Sequence, residues 1–150
     1  MNPCKTQLLP VGTWQQTSRV VLNSIKLNEL DIVFCTSATN LGFTFDSSLS
    51  MHEHIKKLVT SCSFQLRQLR LIKKSLDNSS LISLIHSFVH SRLDYCNSLF
   101  YGISNREMVM IQSVQNRAAK IVTGGLKYDH VGPILRQLHW LPVNKRVVHI

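Results

Sequence analysis

Five aspartates, at positions 31, 46, 77, 94 and 129, are spread over different segments, and no two are adjacent. Two-metal chemistry needs carboxylates that converge on the ions, and no local pairing in this sequence supplies them. The histidines come closer to a ligand pattern. His52 and His54 are two apart, and His86 and His90 are four apart. On a helix the second spacing places two imidazoles on one face, as a metal would require. No third ligand lies near, and the residue after His86 is Ser87 rather than the glutamate of a zinc-protease helix. Packing between helices is the better reading of that pair. The cysteines, at 4, 35, 62 and 96, form no CxxC and no close pair, which speaks against a zinc knuckle or a disulfide framework. Reduced thiols in an intracellular protein are the expectation. No Ser-His-Asp arrangement, glycine-rich phosphate loop or Cys-His nucleophile is suggested.

Charge is the stronger signal. Seventeen Lys and Arg stand against eight acids, a net charge of +9. That favours a polyanionic partner, nucleic acid before an anionic membrane. Between residues 51 and 74, Ile55, Leu58, Val59, Cys62, Leu66, Leu69 and Ile72 trace one helical face. The same stretch carries Lys56, Lys57, Arg67, Arg70, Lys73 and Lys74, with Glu53 as its acid. Such side chains bind phosphates without regard to base sequence, although six of them cannot all face one way.

A second helix is expected over residues 78–101, led in by the capping cluster Asp77-Asn78-Ser79-Ser80 and closed by Gly102. Arg92, Asp94 and Asn97 sit inside its otherwise apolar second half, where charge persists only if paired or hydrogen-bonded. They are expected to tie this helix to its neighbours. A third helix starts at Ser104, with Glu107 completing a capping box, and Gly124-Gly125 ends it. A short helix with Pro133 near its start and a further one from Asn144 follow.

Residues 1–46 read as strands. Residues 5–11 form a short apolar stretch, residues 14–19 a loop or weak helical turn. Ser24-Ile25-Lys26-Leu27 and Ile32-Val33-Phe34 pair across Asn28-Glu29, and Phe43-Thr44-Phe45 make a strand in which Gly42 marks a close backbone approach. The fold class is therefore α+β, mostly helical: short N-terminal strands and a hairpin, then a three-helix bundle and a truncated C-terminal helix. No signal peptide and no apolar run of membrane-spanning length is present. The chain opens and stops inside elements, as a fragment would.

Six blocks, in order, resemble the back end of the reverse transcriptase of non-LTR retrotransposons, the long interspersed elements. They are Asn2-Pro3-Cys4-Lys5-Thr6, then Asn40-Leu41-Gly42-Phe43-Thr44-Phe45-Asp46, and Leu49-Ser50-Met51-His52-Glu53-His54-Ile55. Ser91-Arg92-Leu93-Asp94-Tyr95-Cys96-Asn97, Gln112-Ser113-Val114-Gln115-Asn116-Arg117-Ala118-Ala119 and Leu138-His139-Trp140-Leu141-Pro142-Val143 complete the set. The chain departs from the family in Gln7, where Glu is frequent, and in Phe43, where a smaller aliphatic residue is usual.

The resemblance implies the end of a palm over residues 1–46, a helical thumb over 47–126 and the start of a post-thumb connection over 127–150. It implies that Lys5 lies near the incoming nucleotide's phosphates, and that Leu41 and Gly42 form a primer-grip turn where bare backbone admits the primer strand. The partner implied is an RNA/DNA primer-template duplex, with no membrane and no small-molecule substrate for this stretch alone. The family's catalytic aspartates have no counterpart here. No catalytic residue, metal ligand or cofactor is therefore expected in this chain, and Mg2+ only in the complete parent enzyme. The alternatives are a non-functional transposon remnant and a helical protein-interaction module.

Overall fold

The computed structural model describes residues 6–19, 24–27, 30–126 and 128–148. The fold is α+β and mostly helical, in two compact units, Met1–His54 and Ile55–Ile150.

In the first unit a short helix, α1 (Trp14–Thr17), precedes two antiparallel hairpins. Strand β1 (Ser24–Leu27) pairs with β2 (Leu30–Val33), with Leu27 opposite Leu30; the second strand thus starts two residues before the expected Ile32 and ends at Val33 rather than Phe34. Strand β3 (Ser37–Asn40) pairs with β4 (Phe43–Asp46). The expected strand over residues 5–11 is reduced, among the described residues, to a single parallel bridge between Leu8 and Phe34. Pro10 removes a ladder donor, and the segment is laced instead by separate bonds. Cys35 N–H donates to the Leu8 carbonyl (2.8 Å), Gly12 N–H to the Ser47 carbonyl (3.0 Å), and Thr39 N–H to Gln7 Oε1 (2.9 Å). Gln7 acts through an acceptor oxygen, which a glutamate would supply equally.

After β4 the Asp46 carboxylate accepts from Ser48 N (3.1 Å), Ser50 N (2.9 Å) and Ser50 Oγ (3.0 Å). This holds a loop in which Leu49 and Met51 adopt positive φ. The Ser50–Glu53 spacing predicts a capping box, but the Ser50 hydroxyl accepts from His52 N at 3.3 Å, two residues on instead of three.

Helix α2 (His52–Ile72) ends in a 3-10 turn, Lys73–Ser75. Helix α3 (Asn78–Ile85) is capped by Asp77, which accepts from Ser79 N and Ser80 N. It runs without a break into a π-helical segment, His86–His90, and then α4 (Ser91–Asp94). The predicted continuous helix stops here. Tyr95 turns extended and Cys96 left-handed (φ 52°), and a 3-10 segment, Asn97–Phe100, follows. The apolar spacing that suggested continuity, through Cys96, Leu99 and Phe100, is served by the 3-10 turn, which buries Phe100 but leaves Leu99 exposed.

The π segment has a visible cause in the packing. Leu81, Ile85, Val89 and Leu93 are all buried at steps of four. Four residues overshoot an α-helical turn by about 40°, so the buried line would drift round the helix. The wider turn, closed by Ser91 N–H on the His86 carbonyl, winds it back. A ladder of serines runs along the same segment. Ser83, Ser87 and Ser91 each donate to the carbonyl four residues earlier, which loosens and bends helices.

Helix α5 (Asn105–Thr123) has the predicted capping box: Ser104 N donates to Glu107 Oε2 (3.1 Å) and Glu107 N to Ser104 Oγ (3.4 Å). Gly124, at φ 74°, closes it as a left-handed cap. Helices α6 (Val131–Gln137) and α7 (Val143–Val148) complete the unit. Its core is the α2 face of Ile55, Leu58, Cys62, Leu66 and Leu69, the line just described, and Ile111, Val114, Ala118 and Val122 of α5. Among the described residues, no helix is long and apolar enough to cross a membrane. Cys35, Cys62 and Cys96 are free thiols.

Candidate nucleic-acid interface

The charge is not shared between the units. Fourteen of the seventeen Lys and Arg, but four of the eight acids, lie from residue 55 onward. Those four acids have local duties. Asp77 caps α3, Asp94 pairs with Arg146, Glu107 closes the α5 capping box, and Asp129 Oδ2 accepts from Leu126 N at 2.6 Å.

Helix α2 carries the candidate cations. At about 100° per residue, the buried face of α2 spans about 80°, and Lys56, Arg67 and Arg70 fall within about 60° of one another on the exposed side. All three are exposed, as is Lys74 in the following 3-10 turn. Lys57 is also exposed but lies about 100° round from Lys56. Phe64 and Leu71 are exposed between these directions, at 55% and 72%. Lys73 differs from the expectation for it. It is half-buried, and its ammonium donates to the Ile121 carbonyl near the end of α5. A cation there satisfies a free helix carbonyl and faces the negative end of the helix dipole.

Two arginines outside α2 approach its flanks. Arg92 Nη1 donates to Ser61 Oγ on one side. Arg117 Nη2 donates to Ser63 Oγ (2.8 Å) on the other, with Arg117 Nε on the Ser113 carbonyl (3.3 Å). The Cys62 thiol between them is pushed up by burial, against the pull of both guanidiniums.

Of Arg92, Asp94 and Asn97, Arg92 reaches α2 through Ser61, and Asp94 reaches α7 through Arg146. Asn97 is buried at the head of the 3-10 turn. Asp94 is not buried: its side chain is 40% exposed. Partial burial still raises its carboxyl pKa despite the Arg146 guanidinium. A pair this open contributes under about 1 kcal/mol, less than one buried leucine at about 1.5–3 kcal/mol. The apolar stripes hold this unit, and the ion pair adjusts it.

In the first unit, Leu41 and Gly42 form the two-residue loop of the β3–β4 hairpin, with Asn40 opposite Phe43. Both have positive φ, 48° and 80°, which is a type I′ turn. The sequence reading of Gly42 as a close approach is corrected within this chain, since a Cβ there would meet nothing within 4 Å. Its φ demands the glycine. Leu41, 83% exposed, occupies a left-handed position that asparagine or glycine would take at less cost. Below the tip, Phe43 stacks on His54 at 3.8 Å, and Thr44 N–H donates to His54 Nδ1 (3.3 Å). Lys5 and residues 2–4 of its block lie outside the described residues.

The sequence reading gave no role to Gln112 and Gln115, which join the later blocks. Gln115 is fully buried in α5, and its Nε2 donates to the Leu141 carbonyl (2.8 Å). Gln112 Oε1 accepts from Val143 N (2.8 Å) at the start of α7. His90, 3% exposed, packs edge-on to Trp140 at 4.2 Å and to His86 at 4.7 Å. The His86–His90 pair is thus packed against an indole. Among the described residues no group of three or more His, Cys, Asp or Glu side chains could hold a metal ion. A glutamine inside an otherwise apolar helical stripe is the signal that would have found Gln115.

No family model, no curated protein and no solved structure matches the chain.

Proposed function

We propose that the chain is the palm-end and thumb part of an RNA-directed DNA polymerase of the non-LTR retrotransposon type, and that it holds primer-template duplex while the chemistry belongs to palm carboxylates of the parent enzyme. The observation that carries this is the cation-rich exposed face of α2, in a unit whose four acids have local duties. The six sequence blocks supply the family. Lys56, Lys57, Arg67, Arg70 and Lys74 are the backbone-binding residues in this reading. Lys73 leaves that set for a helix-capping one, and no residue here is assigned to Mg2+ or to catalysis.

Titrating the full chain against an RNA/DNA primer-template duplex over a range of salt tests it. The logarithm of the association constant is expected to fall linearly with that of salt, with a slope of about −3.6 to −4.5 for four to five phosphates neutralised. A folded sample that ignores the duplex at low salt, or that binds anionic phospholipid vesicles in its place, would sink the proposal.

The hairpin tip gives a second check. Leu41→Asn relieves a left-handed leucine and is expected to raise thermal stability by about 0.5–1 kcal/mol. If the tip meets the primer, the same substitution weakens duplex binding. Unchanged binding by the folded variant would remove Leu41 from the interface.

A further inference from the structure

We propose that Arg117, projecting from α5, completes a row of cations on α2 that follows the phosphates of one strand of the duplex. The inference rests on the nucleic-acid reading above and names a contact that α2 itself does not contain. Along α2, Lys56 and Arg67 are about 16 Å apart at 1.5 Å per residue, and the residues between them on that flank, Thr60 and Ser63, are uncharged. Successive phosphates of one strand advance by about 3.4 Å along the axis in B-form DNA, and by less in an A-like RNA/DNA duplex. A row with such a gap would pass several phosphates without a cation. Arg117 reaches the gap. Its guanidinium sits on Ser63 Oγ, which lies within about 40° of Lys56, Arg67 and Arg70 around the helix.

The guanidinium is also held in a way that leaves it able to bind. Ser63 donates its own proton to the Val59 carbonyl, so its lone pairs face Arg117. Nε is fixed by the Ser113 carbonyl. Among the described residues two of its five N–H donors are used, leaving three. Arg117 is exposed. A pre-placed planar fork loses little freedom when it takes a phosphate. Arg92 lies on the opposite flank, at Ser61, and serves as a control of equal charge.

The test compares salt dependence of duplex binding for the full chain, Arg117→Gln, Arg117→Lys and Arg92→Gln, each confirmed folded by its melting curve. Arg117→Gln is expected to reduce the slope by about one and to weaken binding uniformly across duplex sequences. Arg117→Lys is expected to restore the slope, and Arg92→Gln to leave it unchanged. A purely structural Arg117 would shift melting and not the slope. If Arg117→Gln keeps the parent slope, or Arg92→Gln lowers it equally, the row is wrong while the duplex reading stands. If the parent chain itself does not bind, both fall. Should Arg117→Gln melt early, Ser63→Ala leaves the charge but unfastens it, and is expected to weaken binding at fixed salt. Undiminished affinity in that variant overturns the proposal.

Discussion

Gln115→Leu is expected to lower stability by about 2 kcal/mol, although it replaces one side chain with an apolar one of similar size in a buried position. Gln115 is fully buried and uses both ends of its amide. Nε2 donates to the Leu141 carbonyl, and Oε1 accepts from Gln112 Nε2 at 2.9 Å. Gln112 in turn donates to Asn116 Oδ1 (2.8 Å) and accepts from Val143 N (2.8 Å). Leucine removes two bonds and strands the Leu141 carbonyl and a Gln112 amide proton; Leu141 is exposed and Gln112 half-buried, so each costs about 1 kcal/mol, the low end for an unsatisfied group. The network also orients the segment that places Trp140 and starts α7, so partners lost here are not replaced locally. Urea unfolding followed by tryptophan fluorescence reads the effect. A loss below about 0.5 kcal/mol would show that water takes over the vacated bonds.

Acid is expected to destabilise the fold through His90. Burial, with Arg146 and His86 adding to it, pushes the His90 imidazole down to about 3. The unfolded chain takes up a proton near pH 6.5 and the folded one does not until far lower. Stability is therefore complete above pH 6.5 and is lost as pH falls from there toward 3, at up to about 1.4 kcal/mol per pH unit. By pH 5 the loss reaches about 2 kcal/mol. The groups facing the ring explain why protonation is resisted: the His86 imidazole, the edge-on Trp140 indole and the Arg146 guanidinium. Nε2 of His90 is buried without a hydrogen-bond partner among the described residues, so a proton there would find no acceptor. His90→Leu is expected to flatten the stability profile between pH 7 and 5. An equal slope in parent and variant would assign the acid sensitivity elsewhere.

How far the sequence could be read follows from what each element uses to declare itself. Helix α2 was legible from its period, and α5 from its period and caps: the Ser104–Glu107 box and the Gly124 stop stand where predicted. The β1–β2 pairing was legible from the two short apolar runs that flank Asn28-Glu29. Strand β3, Ser37-Ala38-Thr39-Asn40, was not, because it has no apolar alternation and exists as the partner of β4. The break at Tyr95–Cys96 was hidden because apolar residues continue at helical spacing beyond it. The candidate interface was half legible. Spacing identified the α2 cations, but not that Lys73 bends to the end of α5 or that Arg117 arrives from another helix. Those facts belong to packing between elements distant in sequence, which no local pattern records.

The π turn at His86–His90 carries one consequence for length variation. A turn closed over five residues holds one more residue than an α-turn closed over four. Removing a residue there would let the segment revert to ordinary pitch, whereas a deletion in α2 or α5 would rotate every downstream side chain by about 100°. The central helix therefore stores a spare residue, and it is the place in this unit where a one-residue deletion would be absorbed at least cost.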